Sequence, residues 1–231
     1  MCGNLRSAFK KRRSRSSKLL LLTLFAASVP VHAGTLFSDL GTGSNVYDTS
    51  GPSLVKGSGN GGSSITQARP FTVSGTGDFL VTQIDFGMSN EVSPATFTGS
   101  IWTDTSGLPG TELGSWNLAS TPFGCCALAT QTGITGVTLT GGVTYFMVAA
   151  PVSLTDTSDN FWDANTVGAT GLQLGSLNGG ASWISDGIGT LPAFDVLGNS
   201  AAAQAPEPDS LWLLGIGLLG TFAGVRKARR S

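Results

Sequence analysis

The chain has 231 residues, and its 13 Lys plus Arg against 14 Asp plus Glu give a formal net charge of −1. That near-neutral total hides a partition. Arg6, Lys10, Lys11, Arg12, Arg13, Arg15 and Lys18 crowd the start, Arg226, Lys227, Arg229 and Arg230 crowd the end, and only Lys56 and Arg69 lie between. Glu207 and Asp209 sit near the end, so the body sets two cations against 12 acids, a net charge of −10. A body this acidic is repelled by nucleic acid and by anionic membrane surfaces, so no nucleic-acid partner is expected. The single histidine, His32, falls in the leader. Without it the body lacks the parts of a Ser-His-Asp or Cys-His device and the usual ligands of zinc.

Residues 1–33 read as a secretory signal peptide. Seven positive charges without an acid form its basic segment, and Leu19 to Ala27 is an apolar stretch too short to span a bilayer. Val31-His32-Ala33 supplies small residues for cleavage, with Gly34 as the new N-terminus. Arg12-Arg13 invites a twin-arginine reading, but Ser-Arg-Ser-Ser-Lys follows where an apolar pair is usual, so a plainly basic segment is favoured.

The body, residues 34–204, holds all but five of the chain's 33 glycines. No window of ten or more residues shows sustained helical periodicity. Short apolar or alternating runs recur instead, separated by Gly, Pro, Asn and Asp, and predict strands near 71–73, 79–88, 96–104, 111–118, 134–140, 143–150, 170–177, 181–185 and 193–198. In the second, Leu80, Ile84, Phe86 and Met88 share one face, and Val81, Gln83 and Asp85 the other. Thr140-Gly141-Gly142-Val143 suggests a tight hairpin. Residues 41–66 read as a long loop with at most one short strand. Many short strands with regular turns indicate an all-β fold, an antiparallel β-sandwich of jelly-roll-like form.

Two segments of the body, Ile101-Trp102-Thr103-Asp104-Thr105-Ser106-Gly107-Leu108-Pro109-Gly110-Thr111-Glu112-Leu113 and Leu139-Thr140-Gly141-Gly142-Val143-Thr144-Tyr145-Phe146, resemble the choice-of-anchor domains of bacterial surface proteins, most closely the R type. The resemblance spans roughly 36–198. It implies a β-sandwich at the cell surface, held there by one of several kinds of tail. It implies no catalytic residues and no established ligand, and no cofactor is expected.

Three groups in the body are candidates for chemistry. Cys125 and Cys126 are adjacent in a chain bound for an oxidising compartment, and a vicinal disulfide that stiffens the Pro122–Ala127 turn is favoured over free thiols or links to another chain. Asp156, Asp159, Asn160, Asp163 and Asn165 offer oxygen ligands of the kind Ca²⁺ accepts, but match no EF-hand spacing and suit turns equally well. The turn reading leads, and no metal ligand is assigned. Trp102, Trp116, Trp162 and Trp183 are read as core residues before they are read as a platform for sugar rings. Paired carboxylates of the glycosidase type stay open, because separation in space is invisible in the sequence. An enzyme is not the expectation.

The C-terminal residues 205–231 combine three parts in order: Pro206-Glu207-Pro208, the uncharged run Leu211–Val225, and the basic end Arg226 to Arg230. The prolines keep Glu207 extended and stop a helix from running back into the body. As a helix the apolar run would reach about 22 Å, short of the roughly 30 Å hydrocarbon core, with its basic end on the cytoplasmic side. Gly220 and Gly224 have small-xxx-small spacing, which arises easily in a Gly-rich tail, and no site is assigned to them. This layout resembles the PEP-CTERM sorting signal of exopolysaccharide-producing Gram-negative bacteria. The resemblance implies that Pro206, Glu207 and Pro208 are recognised by an exosortase-type transpeptidase, and that the short transmembrane helix is a transient hold in the inner membrane. An ordinary C-terminal anchor is the plainer alternative. The sequence therefore leads one to expect an exported envelope, surface or matrix protein of structural or adhesive role in a biofilm or with exopolysaccharide. A carbohydrate-binding module comes second and a glycoside-active enzyme third.

Overall fold

The computed structural model describes residues 33–90 and 96–201. The strands, in chain order, are β1 (Gly34–Ser38), β2 (Tyr47–Lys56), β3 (Thr66–Thr72), β4 (Asp78–Phe86), β5 (Met88–Asn90), β6 (Thr96–Thr105), β7 (Leu108–Ala119), β8 (Thr121–Pro122), β9 (Ala129–Thr132), β10 (Thr138–Thr140), β11 (Thr144–Pro151), β12 (Asp159–Asn165), β13 (Thr170–Ser176), β14 (Ile184–Thr190) and β15 (Phe194–Ser200). Three sheets result. A six-stranded sheet runs β14-β13-β3-β11-β6-β7, a five-stranded sheet runs β1-β15-β4-β10 with β9 also on β4, and a four-stranded sheet runs β2-β12-β5-β8. Among the described residues every ladder is antiparallel except the two-residue contact of β5 with β8. The fold is all-β. Among the described residues no helix is long and apolar enough to cross a membrane, and the expected helix over Leu211–Val225 lies outside them.

One core joins the three sheets. Phe71, Ile101, Tyr145 and Met147 come from the six-stranded sheet, Val81, Ile84, Phe194 and Val196 from the five-stranded one, and Val55, Met88 and Trp162 from the third. Trp162 is 0% exposed, and its ring lies 5.3 Å from that of Phe86 and 5.7 Å from that of Phe194. Its indole N–H donates to the carbonyl of Ala193 at 3.1 Å, so its burial leaves no donor unsatisfied. Only Gly87 separates β4 from β5. A Cβ there would stand 2.9 Å from the Tyr47 ring, so the bare backbone is what lets the strand pass and switch sheets.

The structure departs from the sequence expectations in four places. First, Thr140-Gly141-Gly142-Val143 is no hairpin: β10 pairs with β4 and β11 with β3 and β6, so this tight turn carries the chain from one sheet to another. Second, Val81 faces the core and Leu80 is not among the core residues, against the expected alternation. The β15–β4 ladder skips Thr82, and that extra residue inverts the pleat. Third, the stretch expected as a loop over 41–66 holds the ten-residue strand β2. Pro52 is tolerated in β2 because the strand is an edge and its ladder is irregular around that point. Fourth, the Asp- and Asn-rich segment expected as a turn is mostly strand β12, which brings Trp162 into the core.

Candidate functional site

The sorting residues Pro206, Glu207 and Pro208 lie outside the described residues, as does the leader up to His32. The described residues include both ends of the body. Gly34 opens β1, and its cross-strand partner is Gly198 of β15, the strand that leads to the tail. The chain therefore enters the body and leaves it on neighbouring strands. Beyond Ala33, which is exposed, the first ordered ladder begins at once.

Cys125 and Cys126 share the loop between β8 and β9. Their sulfurs are placed in bonding contact, and the peptide between them is cis. The Tyr47 hydroxyl, 2.8 Å from the Gly124 carbonyl and 3.0 Å from that of Ala127, holds this loop down. The Thr121 hydroxyl donates to the Met88 carbonyl at 3.0 Å and fixes the loop's other end.

The acidic-amide segment forms no cage. Asp156 accepts from the backbone N–H of Ser158 at 3.1 Å and its hydroxyl at 2.7 Å, capping a turn, while Asn60 donates to Asp159 at 3.1 Å. Asn160 bonds Ser120 and the Thr96 carbonyl, and Asn165 bonds both N–H and C=O of Ala169. Asp163 is 0% exposed, and neither carboxyl oxygen makes a well-formed hydrogen bond, the nearest donors being those of Ser89. Burial pushes it up to about 7, with Ser89 opposing and Asp48 adding to the rise. Among the described residues no group of three or more His, Cys, Asp or Glu is arranged to hold a metal ion.

Sequence reasoning missed a second acidic group. Asp85 of β4 and Asp195 of β15 are directly opposite in the ladder, and Asp39 lies just past β1. The Asp85 carboxylate accepts from Gln83 at 2.7 Å and Thr130 at 2.5 Å. Asp39 accepts from the Phe194 N–H at 2.7 Å through one oxygen, while its other oxygen is buried and unpartnered. Burial pushes Asp39 up to about 7, against the pull of its hydrogen bond to Phe194. Burial first, then Asp85 and Asp39, push Asp195 up to about 8. The strands 79–88 and 193–198 were legible, but nothing in the sequence says that those two strands pair.

The tryptophans divide. Trp162 is core and Trp116 packs on the core from β7. Trp102 and Trp183 instead cover a small cluster of Ala68, Phe146, Val148 and Leu174 on the other face of the six-stranded sheet. Their rings meet edge to face, 6.4 Å apart at 84°. The two segments quoted for the body resemblance are neighbours, with Trp102 opposite Phe146 and Thr103 opposite Tyr145. Together they line an open depression of about 530 Å³ walled by Thr103, Asp104, Ser106, Val143, Thr144 and Tyr145.

Compared with known families, residues 204–230 match the PEP-CTERM protein-sorting motif. That motif is recognised by exosortases and implies export through the membrane to the cell surface. A search of curated proteins returned no match to the chain.

Proposed function

We propose that this is an exported protein of the cell envelope or extracellular matrix of an exopolysaccharide-producing Gram-negative bacterium, with a structural or adhesive role. The signal peptide is removed between Ala33 and Gly34, and the tail then holds the protein in the inner membrane until an exosortase-type transpeptidase acts near Pro206-Glu207-Pro208. The observation that carries this reading is the sorting motif at 204–230, placed directly after an all-β body. The body is read as a jelly-roll-like sandwich akin to choice-of-anchor R domains, with no catalytic role. A β domain closed at Ser200 before the tail begins suits a cargo that folds independently of its address. The test is Glu207→Ala in the native host: the variant should accumulate in the inner membrane while the wild type reaches the surface. Equal surface amounts of the two would overturn the proposal.

A second reading, a carbohydrate-binding module, is favoured by the Trp102–Trp183 pair on the outer face of the six-stranded sheet. Aromatic faces at a sheet surface suit stacking on sugar rings. Retention on immobilised exopolysaccharide that is lost in Trp183→Ala would support it.

A further inference from the structure

We propose that Asp39, Asp85 and Asp195 form a proton-held clasp that fastens the first strand of the body to its last and lets it loosen when the proton is lost. Asp85 and Asp195 face each other across the β4–β15 ladder, a position where two like charges destabilise a sheet. Asp39, only 3% exposed, adds a third carboxyl from the end of β1, with one oxygen on the Phe194 N–H and the other buried without a partner. Among the described residues no cation answers them. Lys56 is engaged by the Gly61 carbonyl at 3.0 Å, and Arg69 by the carbonyls of Ala68 and Leu174 and the side chains of Ser53 and Gln67. The neutral donors Gln83 and Thr130 serve Asp85 alone.

Three clustered carboxyls without a counter-ion stay together by keeping a proton. Asp195, opposite Asp85 in the ladder and with one oxygen buried and unpartnered, is the one that keeps it, as in a close carboxyl pair where one partner ionises late. The raised affinity of Asp195 and Asp39 for protons agrees with this. When base takes the proton from Asp195, two carboxylates stand face to face beside Asp39. Of the strands beside the three acids, β1 is a five-residue edge paired among the described residues with β15 alone, so it should open before β15 or β4.

The experiment is hydrogen exchange on the full chain in mild detergent from pH 5 to pH 9, corrected for intrinsic rates. Protection of residues 34–39 should fall about tenfold or more between pH 6 and pH 9, since each pH step above a carboxyl's midpoint depletes its protonated form by a factor of about ten. Protection of β11, which follows global opening, should fall less than that of residues 34–39. Asp195→Asn leaves nothing that titrates opposite Asp85, and should shrink the drop to what Asp39 alone supplies. Flat protection in the wild type, or an unchanged drop in Asp195→Asn, overturns the clasp. So does a drop in the wild type that millimolar Ca²⁺ abolishes, which would make the cluster a metal site. If Asp195→Asn does not fold, carboxyl ¹³C shifts of the wild type decide: a midpoint far above the ordinary carboxylate range for Asp195 supports the clasp, and ordinary midpoints for all three residues overturn it.

Discussion

Gly34 and Gly198 are cross-strand partners, so the first residue expected after leader removal lies against the strand that carries the chain out to its sorting tail. The two positions differ in the space around them. A Cβ on Gly198 would come within 2.5 Å of the Leu80 carbonyl oxygen and 2.7 Å of the Leu36 side chain, whereas one on Gly34 meets nothing closer than 3.8 Å.

The first prediction follows from that asymmetry. Gly198→Ala should destabilise the body by about 1–3 kcal/mol, because the carbonyl in its way belongs to a paired strand and moves only with the ladder. Gly34→Ala should stay within about 0.5 kcal/mol. Denaturant midpoints of the two variants check this, and equal midpoints would contradict the described β1–β15–β4 packing.

The second concerns pH. Asp39, Asp163 and Asp195 all hold their protons more tightly in the fold than the ordinary value of 3.8, Asp39 and Asp163 to about 7 and Asp195 to about 8. The folded state therefore binds more protons than the unfolded one between about pH 4 and pH 8, and stability falls as pH rises through that window. The contribution is complete below about pH 4 and gone above about pH 8. Melting temperature should decline steadily from pH 5 to pH 8, opposite to a protein held by ionised carboxylates, and Asp163→Asn should flatten part of the decline. A melting temperature that rises over this range would refute the assignment.

Much of this fold was legible and some was not, for reasons that can be named. The strands β4, β6 and β11 announce themselves through β-branched and aromatic runs. By contrast β12 reads Asp-Asn-Phe-Trp-Asp-Ala-Asn, and its polar residues look like turn formers until Asn160 is seen bonding across to Ser120 and Thr96. The inversion at Thr82 needed the partner strand, since a bulge is a property of a pair. The sorting tail was legible because its signal is local: three residues, an apolar run and a basic end. The carboxyl trio was not, because its members come from residues 39, 85 and 195.

The third prediction is chemical. Protein purified without reductant should contain no free thiol in the Cys125–Cys126 loop, and Cys125→Ser should expose one at position 126 or yield dimers through it. The motive is their adjacency in an exported chain and the placement of the two sulfurs against each other. Two alkylatable thiols in that loop of the untreated native protein would defeat the bridge.

The fourth separates the tryptophans by their surroundings. Trp162→Ala, at the centre of the core, should cost about 3–5 kcal/mol. Trp183→Ala, at the partly buried outer pair, should fall in the ordinary range of about 0.5–3 kcal/mol. Urea unfolding of the two variants gives the order, and a larger loss at Trp183 would contradict the placement of the core.

The central claim is that the tail is an address that is consumed. The apolar run Leu211–Val225 is short for a permanent anchor at about 22 Å of helix, and Pro206-Glu207-Pro208 precedes it in the matched sorting motif. Intact-mass analysis of the protein extracted from the cell surface tests this most directly. The account predicts a species that begins at Gly34 and ends near Pro206–Asp209, lacking Leu211 to Ser231. A surface species whose mass still includes Leu211 to Ser231 would contradict it.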